Sequence, residues 1–212
     1  MNSPGNNVGF PDNGNIHKEL PVPIGEHDKN PQINHKIFNE TLDSGDYSQS
    51  EDYSYVYYLG AVSEGDYDYF SQYMDILSSE QSSVMDSFLS SGWKIILTSA
   101  DLDELLFNGQ TENVAGCTYS SRKEIYVESG DSSYCVIHEI GHYIDYVLNY
   151  ASQTEEFQSI YAKESGNLTD YGTTSAEEFF AEVYMYSLLE PETTAEKCPL
   201  AYAYVTALAQ TI

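Results

Sequence analysis

The chain of 212 residues carries 34 acidic and 8 basic side chains, for a formal charge of -26. That balance is hostile to nucleic acid and to anionic membrane surfaces, and it favours neutral or cationic ligands. No apolar run is long enough to span a bilayer, so no membrane insertion is expected, and the length suits one sizeable core.

In chain order, residues 1–50 hold most of the prolines and many Asn and Gly, with little hydrophobic periodicity. They read as a flexible polar arm ahead of a single folded domain over 51–212. The opening MNSPGNNVGFPDNGN shows neither the basic n-region nor the apolar h-region of a signal peptide. Tyr53–Leu59, closed by Gly60, reads as a first strand. Apolar residues recur at helical spacing from Glu64 to Leu89, with Ser78-Ser79 and Ser82-Ser83 as places to split the span. Trp93–Leu97 reads as a second strand and Asp101–Leu106 as a short helix with an acidic start. Val114–Tyr119 and Glu124–Glu128, flanking Ser120–Lys123, suggest a hairpin. A helix over 131–149 follows, then a short one near 155–162, a loop over 166–172, and closing helices near 176–189 and 195–209. Strands with a helix followed mainly by helices define an α+β fold. Cys117, Cys135 and Cys198 are an odd three without C-x-x-C spacing; a Cys117–Cys135 bridge is open to them, but their spacing does not demand it.

The helix over 131–149 carries His138-Glu139-Ile140-Gly141-His142. Residues four apart share a helix face, so the two imidazoles can bind one Zn²⁺ at about 2.0–2.1 Å each. Glu139, beside them, is in reach of a water at the metal and is the candidate general base. The other three of the five histidines lie in the polar arm. Tyr134, Val136, Ile137, Ile140, Tyr143, Ile144, Val147 and Leu148 make the helix apolar on almost every side, hence buried. Polar groups on such a helix must be satisfied inside the protein or at a cleft.

A catalytic zinc usually takes a third protein ligand, and no histidine follows His142. The ligand is therefore a carboxylate, to be chosen from Glu155, Glu156, Glu164, Asp170, Glu177, Glu178, Glu182 and Glu190. The apolar surroundings of 177–186 favour that helix, with Glu178 first, Glu182 next and Glu177 last. With Glu178 as ligand, Glu182 and Glu177 are candidates to stand behind the site, where a carboxylate can orient a ligand imidazole. Ser175-x-x-Glu178 also fits a capping box, in which Glu178 would merely bond backbone; Thr174-x-x-Glu177 offers the same box one residue earlier.

ESGNLTDYGTTSAEEFFAE over residues 164–182, placed after HEIGHYID, resembles the catalytic domain of anthrax lethal factor and the secreted Pro-Pro endopeptidases that share its zincin-like fold. The likeness spans roughly residues 53–212. It implies His138, His142 and Glu178 as ligands of one zinc, Glu139 as base, and Tyr171 as the residue that stabilises the oxyanion. It also places Val114–Thr118 as the substrate-side edge strand. A small-residue strand there, with Ala115, Gly116 and Cys117 at its centre, suits an extended peptide bound by strand addition. In the Pro-Pro endopeptidases the segment before the active-site helix is longer and carries a tryptophan. Here 107–130 is compact and the only tryptophan is Trp93.

The reading is a monomeric, secreted zinc endopeptidase: a zincin-like metallopeptidase domain with a small mixed sheet, an active-site helix and a mainly helical C-terminal part. A catalytically silent zinc or peptide-binding module on the same fold is the alternative. Glu139 and Tyr171 weigh against it, since binding alone needs neither. An acidic interaction protein whose arm and charge carry its function is the third reading.

Overall fold

The computed structural model describes residues 47–111 and 113–212; the polar segment expected as an arm lies outside them except for its last residues. Those residues form a strand, β1 (Tyr47–Gln49), so the sheet begins inside the stretch assigned to the arm. The elements then run β2 (Val56–Leu59), α1 (Glu64–Glu80), α2 (Ser82–Ser90), β3 (Lys94–Thr98), α3 (Leu102–Phe107), β4 (Gly116–Tyr119) and β5 (Glu124–Glu128). Five helices follow: α4 (Cys135–Val147), α5 (Glu155–Glu164), α6 (Ala176–Leu189), α7 (Pro191–Lys197) and α8 (Pro199–Ala209). None of the described helices is long and apolar enough to cross a membrane.

The sheet has the order β1-β2-β3-β5-β4. β2, β3 and β5 are parallel, while β1 and β4 run antiparallel to their neighbours and form the two edges. Alternation along the strands sorts two cores. Val56, Ile95, Leu97, Ile125 and Val127 face α1, α2 and α4, while Ile96, Cys117, Tyr119 and Tyr126 face the short helix α3 on the other side. Trp93 is buried behind α4, with its ring centroid 5.2 Å from that of Tyr143 and 5.8 Å from that of Phe88. Tyr143 also donates to Ser87 Oγ at 3.0 Å. The lone tryptophan thus clamps the motif helix to α2.

Element boundaries moved where backbone chemistry overrode periodicity. The first strand starts at Val56 because Tyr53–Tyr55 close a turn, with Val56 N–H bonded to Tyr53 O at 3.0 Å. The long helix splits at Gln81, between the two serine pairs. The motif helix is regular only over 135–147; left-handed Asn149 and Tyr150 turn the chain away after it. The expected last helix, 195–209, is two helices, since Pro199 has no N–H to continue the ladder and opens α8 instead. The loop over 166–172 is wound into 3₁₀ turns at Ser165–Asn167 and Tyr171–Thr173. All three cysteines are free and buried, so the Cys117–Cys135 bridge is not formed.

Candidate metal centre and active site

α4 and α6 lie against each other at a contact only small residues permit. A Cβ built on Gly141 would stand 2.8 Å from Ala181 Cα and 3.2 Å from Ala181 Cβ and O. Gly141 lies inside the His138–His142 turn, and Ala181 lies three residues after Glu178, so this approach sets the distance across the site. Three ligand atoms meet there. His138 Nε2 and His142 Nε2 are 3.1 Å apart, and Glu178 Oε2 is 3.1 Å from the first and 3.2 Å from the second. Ligands at about 2.0 Å from a tetrahedral Zn²⁺ stand about 3.3 Å apart. The triangle therefore suits such an ion, and the two-imidazole, one-carboxylate donor set suits zinc in a site with an open position. All three side chains are buried.

The remaining downstream carboxylates are used otherwise. Glu155, Glu156 and Asp170 are exposed. Glu164 is buried but accepts from the backbone N–H of Leu200 and Ala201, capping α8. Glu182 Oε1 lies 3.3 Å from His138 Nδ1, behind the metal-facing nitrogen. Glu177, expected beside it, is only half buried and accepts from the Gln153 amide, so the carboxylate facing His138 Nδ1 is that of Glu182. The capping question also resolves. Ser175 is the N-cap of α6 and its hydroxyl accepts from Glu178 N at 3.2 Å, whereas Thr174 bonds Tyr171 O. The Thr174 box is thus not formed. Glu178 gives its N–H to the cap and turns its carboxylate to the imidazoles.

Glu139 is held from the side of the sheet. Thr118 on β4 donates to its Oε2 at 2.6 Å, and Thr118 Oγ1 is 3.1 Å from its backbone O. A Cβ on Gly116 would stand 2.7 Å from Glu139 Oε1 and 3.0 Å from Cys135 Sγ. Gly116 and Thr118 alternate with Cys117, whose side chain belongs to the opposite face. The bond from Glu128 N–H to Ala115 O shows which pairs of the β4–β5 ladder are hydrogen-bonded. By antiparallel alternation, the N–H and C=O of Gly116 and Thr118 point to the open edge. Within the expected substrate strand Val114–Thr118, Gly116 and Thr118 offer outward backbone, while Ala115 and Cys117 bond inward. Thr118 was read only as the end of that strand; its hold on Glu139 was not foreseen, though period-two alternation from Gly116 would have pointed to it.

Tyr171 sits in its 3₁₀ turn with its ring centroid 5.8 Å from that of His138, and its hydroxyl donates to the Glu178 carboxylate. Burial first, and then Glu178, push this phenol far above its ordinary range, so it stays a donor. Burial pushes His138 down, but the Glu178 and Glu182 carboxylates more than reverse this and hold it up at about 10. Burial likewise opposes the net upward shift of His142, which Glu178 drives. Glu178 is held well below the usual carboxylate range: burial raises it, and the two imidazoles outweigh that. Burial pushes Glu139 up, with the imidazoles and the Thr118 hydroxyl pulling it back. A cation taken up by this cluster would displace the imidazole protons.

A small mixed sheet with an antiparallel open edge, a buried HExxH helix below it and a carboxylate from a following buried helix together define a zincin-like fold. Residues 94–208, more than half of the chain, match the family described as anthrax toxin lethal factor, N- and C-terminal domain. The chain belongs to that family. Its structure is similar to that of the Pro-Pro endopeptidase PPEP-2 from Paenibacillus alvei, with a TM-score of 0.59 and 24% identity over 73% of this chain and 97% of that one. No curated protein matches the sequence.

Proposed function

We propose that the chain is a zinc-dependent endopeptidase whose catalytic domain runs from β1 to Ile212 and acts as a monomer outside the cell. The observation that carries this reading is the convergence of His138 Nε2, His142 Nε2 and Glu178 Oε2 within 3.2 Å of one another, with Glu139 on the same helix and an open edge strand beside it. His138, His142 and Glu178 would hold the zinc, which when bound would supply Lewis acidity to a water and to the scissile carbonyl. Peptide lies extended along β4, bonded to the outward N–H and C=O of Gly116 and Thr118. Glu139, fixed by Thr118, accepts the proton of the attacking water and returns it to the leaving amine. The Tyr171 hydroxyl leaves Glu178 for the developing oxyanion and donates to it. Membership of the family and the fold shared with an endopeptidase support the peptidase reading.

Acidic surroundings favour neutral or cationic substrates, and Trp93 is too deep in the core to read one. Profiling on a peptide library that includes Pro-Pro bonds, the bond named for PPEP-2, tests the proposal. Hydrolysis lost to a chelator and restored by zinc is expected. Zinc bound at one per chain without cleavage of any peptide would leave the silent binding module as the better reading.

A further inference from the structure

We infer that Thr169 is a positioning residue that couples the zinc ligand His138 to the turn carrying Tyr171; this rests on the metallopeptidase reading. Three contacts carry it. Gly172 N–H donates to Thr169 Oγ1 at 2.9 Å, and Thr169 Oγ1 donates to Glu182 Oε2 at 2.6 Å. The other oxygen of that carboxylate, Oε1, faces His138 Nδ1 at 3.3 Å. Thr169, Glu182 and His138 are all buried, so water does not compete for these bonds.

The direction of the chain is fixed by proton count. A hydroxyl has one proton, and Thr169 Oγ1 already accepts from a backbone N–H that cannot reverse. Its own proton therefore goes to Glu182. With Glu182 Oε1 facing it, His138 Nδ1 is the ring nitrogen placed to carry the proton, and that tautomer leaves the Nε2 lone pair for the metal. At its other end, the chain holds the amide of Gly172, next to Tyr171. Packing leaves this turn little slack, since a Cβ on Gly172 would already meet Phe179 Cδ2 at 3.2 Å. The orientation of a metal ligand and the position of the oxyanion donor are thus set by one hydroxyl that touches neither metal nor substrate.

Thr169→Val keeps the shape and removes the hydroxyl; Thr169→Ser restores it. The coupling predicts a signature that its neighbours do not share. Glu182→Gln should weaken zinc binding, read by competition with a chromogenic chelator, and Tyr171→Phe should lower kcat with zinc affinity kept. Thr169→Val should do both, with zinc affinity down roughly tenfold, the low end of the range for outer-shell partners. Thr169→Ser should recover both. Unchanged zinc affinity in Thr169→Val overturns the coupling while leaving the metallopeptidase reading intact, as does a loss confined to thermal stability. Zinc affinity also decides the matter if no peptide is cleaved, because it needs no turnover. A wild-type protein that takes up no zinc overturns both.

Discussion

Gly141→Ala tests how the site is assembled, because two effects of opposite sign meet at this residue. In an exposed helix the exchange stabilises by about 0.8–1.0 kcal/mol through helix propensity. Here the new Cβ would stand 2.8 Å from Ala181 Cα, where carbon atoms in contact rest about 3.5–4.0 Å apart. The obstacle is backbone and cannot rotate away, so α4 and α6 must part locally by roughly 0.7–1.2 Å. Overpacking of this kind costs about 1–3 kcal/mol, which outweighs the propensity gain. The metal should report the change more sharply than stability does. His138 and His142 flank Gly141, and Glu178 Oε2 sits 3.1 and 3.2 Å from their nitrogens. Moving that oxygen out by most of an ångström exceeds the roughly 0.2 Å that ligand distances tolerate. Zinc affinity should therefore fall by roughly 10–100-fold, a loss at least as large as that from removing a ligand's outer support. Chelator competition and urea unfolding of wild type and variant measure the two effects. A variant that is more stable than wild type and binds zinc equally would refute the close approach as the element that sets the site.

Four further outcomes follow from the same geometry. Glu139→Gln should keep zinc and peptide affinity while hydrolysis falls by several orders of magnitude, whereas Glu178→Ala should lose zinc by elemental analysis; equal zinc loss in both would break the division into base and ligand. Tyr171→Phe should lower kcat and kcat/KM together by roughly 10²–10³-fold with KM, zinc content and melting temperature near wild type; lowered stability with normal turnover would mark a packing role instead. Gly116→Ala should displace Glu139, whose Oε1 lies 2.7 Å from the new Cβ, and a misplacement approaching 1 Å costs about 10²-fold in rate; steady-state kinetics with zinc content unchanged is the check. In chelator, His138 is held up at about 10, above its unfolded value near about 6.5, so its contribution is full below the latter and lost as pH rises through the former. Urea midpoints should then decline between these pH values in chelator and stay flatter with zinc; a flat profile in chelator would contradict the pairing of His138 with Glu178 and Glu182.

How legible the site was in the sequence depended on whether its parts lay along one helix. His138, Glu139 and His142 are fixed by helical geometry alone, and Trp93–Leu97 and Glu124–Glu128 by their apolar runs, so all of these were readable. Glu178 needed a second helix to be recognised as buried, and its rival roles as cap and ligand could not be separated by spacing. In the structure its N–H serves the Ser175 cap and its carboxylate faces the imidazoles. Glu177 went astray for the complementary reason. One residue along a helix is a rotation of about 100°, which takes it out of the buried face to Gln153. Thr169 left no signal, because a threonine in a loop has an ordinary reading in turn chemistry.

Three small residues explain why the legible and illegible parts form one site. Gly141 meets Ala181 and brings Glu178 to the imidazoles; Gly116 lets Glu139 lie against the edge strand. A larger residue at Gly141 would spread His138, His142 and Glu178, and one at Gly116 would push Glu139 from its hold on Thr118. The chemistry named by His138-Glu139-x-x-His142 therefore depends on absences of side chain that the motif leaves unspecified at one point and lies far from at the other two. Polar contacts then fix what close packing has brought together: Thr118 for Glu139, Glu182 and Thr169 for His138, the Ser175 cap for the helix that carries Glu178. The Thr118–Glu139 and Glu182–His138 contacts join elements distant in the chain, so this geometry exists only once β4, α4 and α6 have packed. Partial unfolding of α4 or α6 should accordingly release a bound metal before the sheet opens, since the sheet's own pairing does not run through His138, His142 or Glu178.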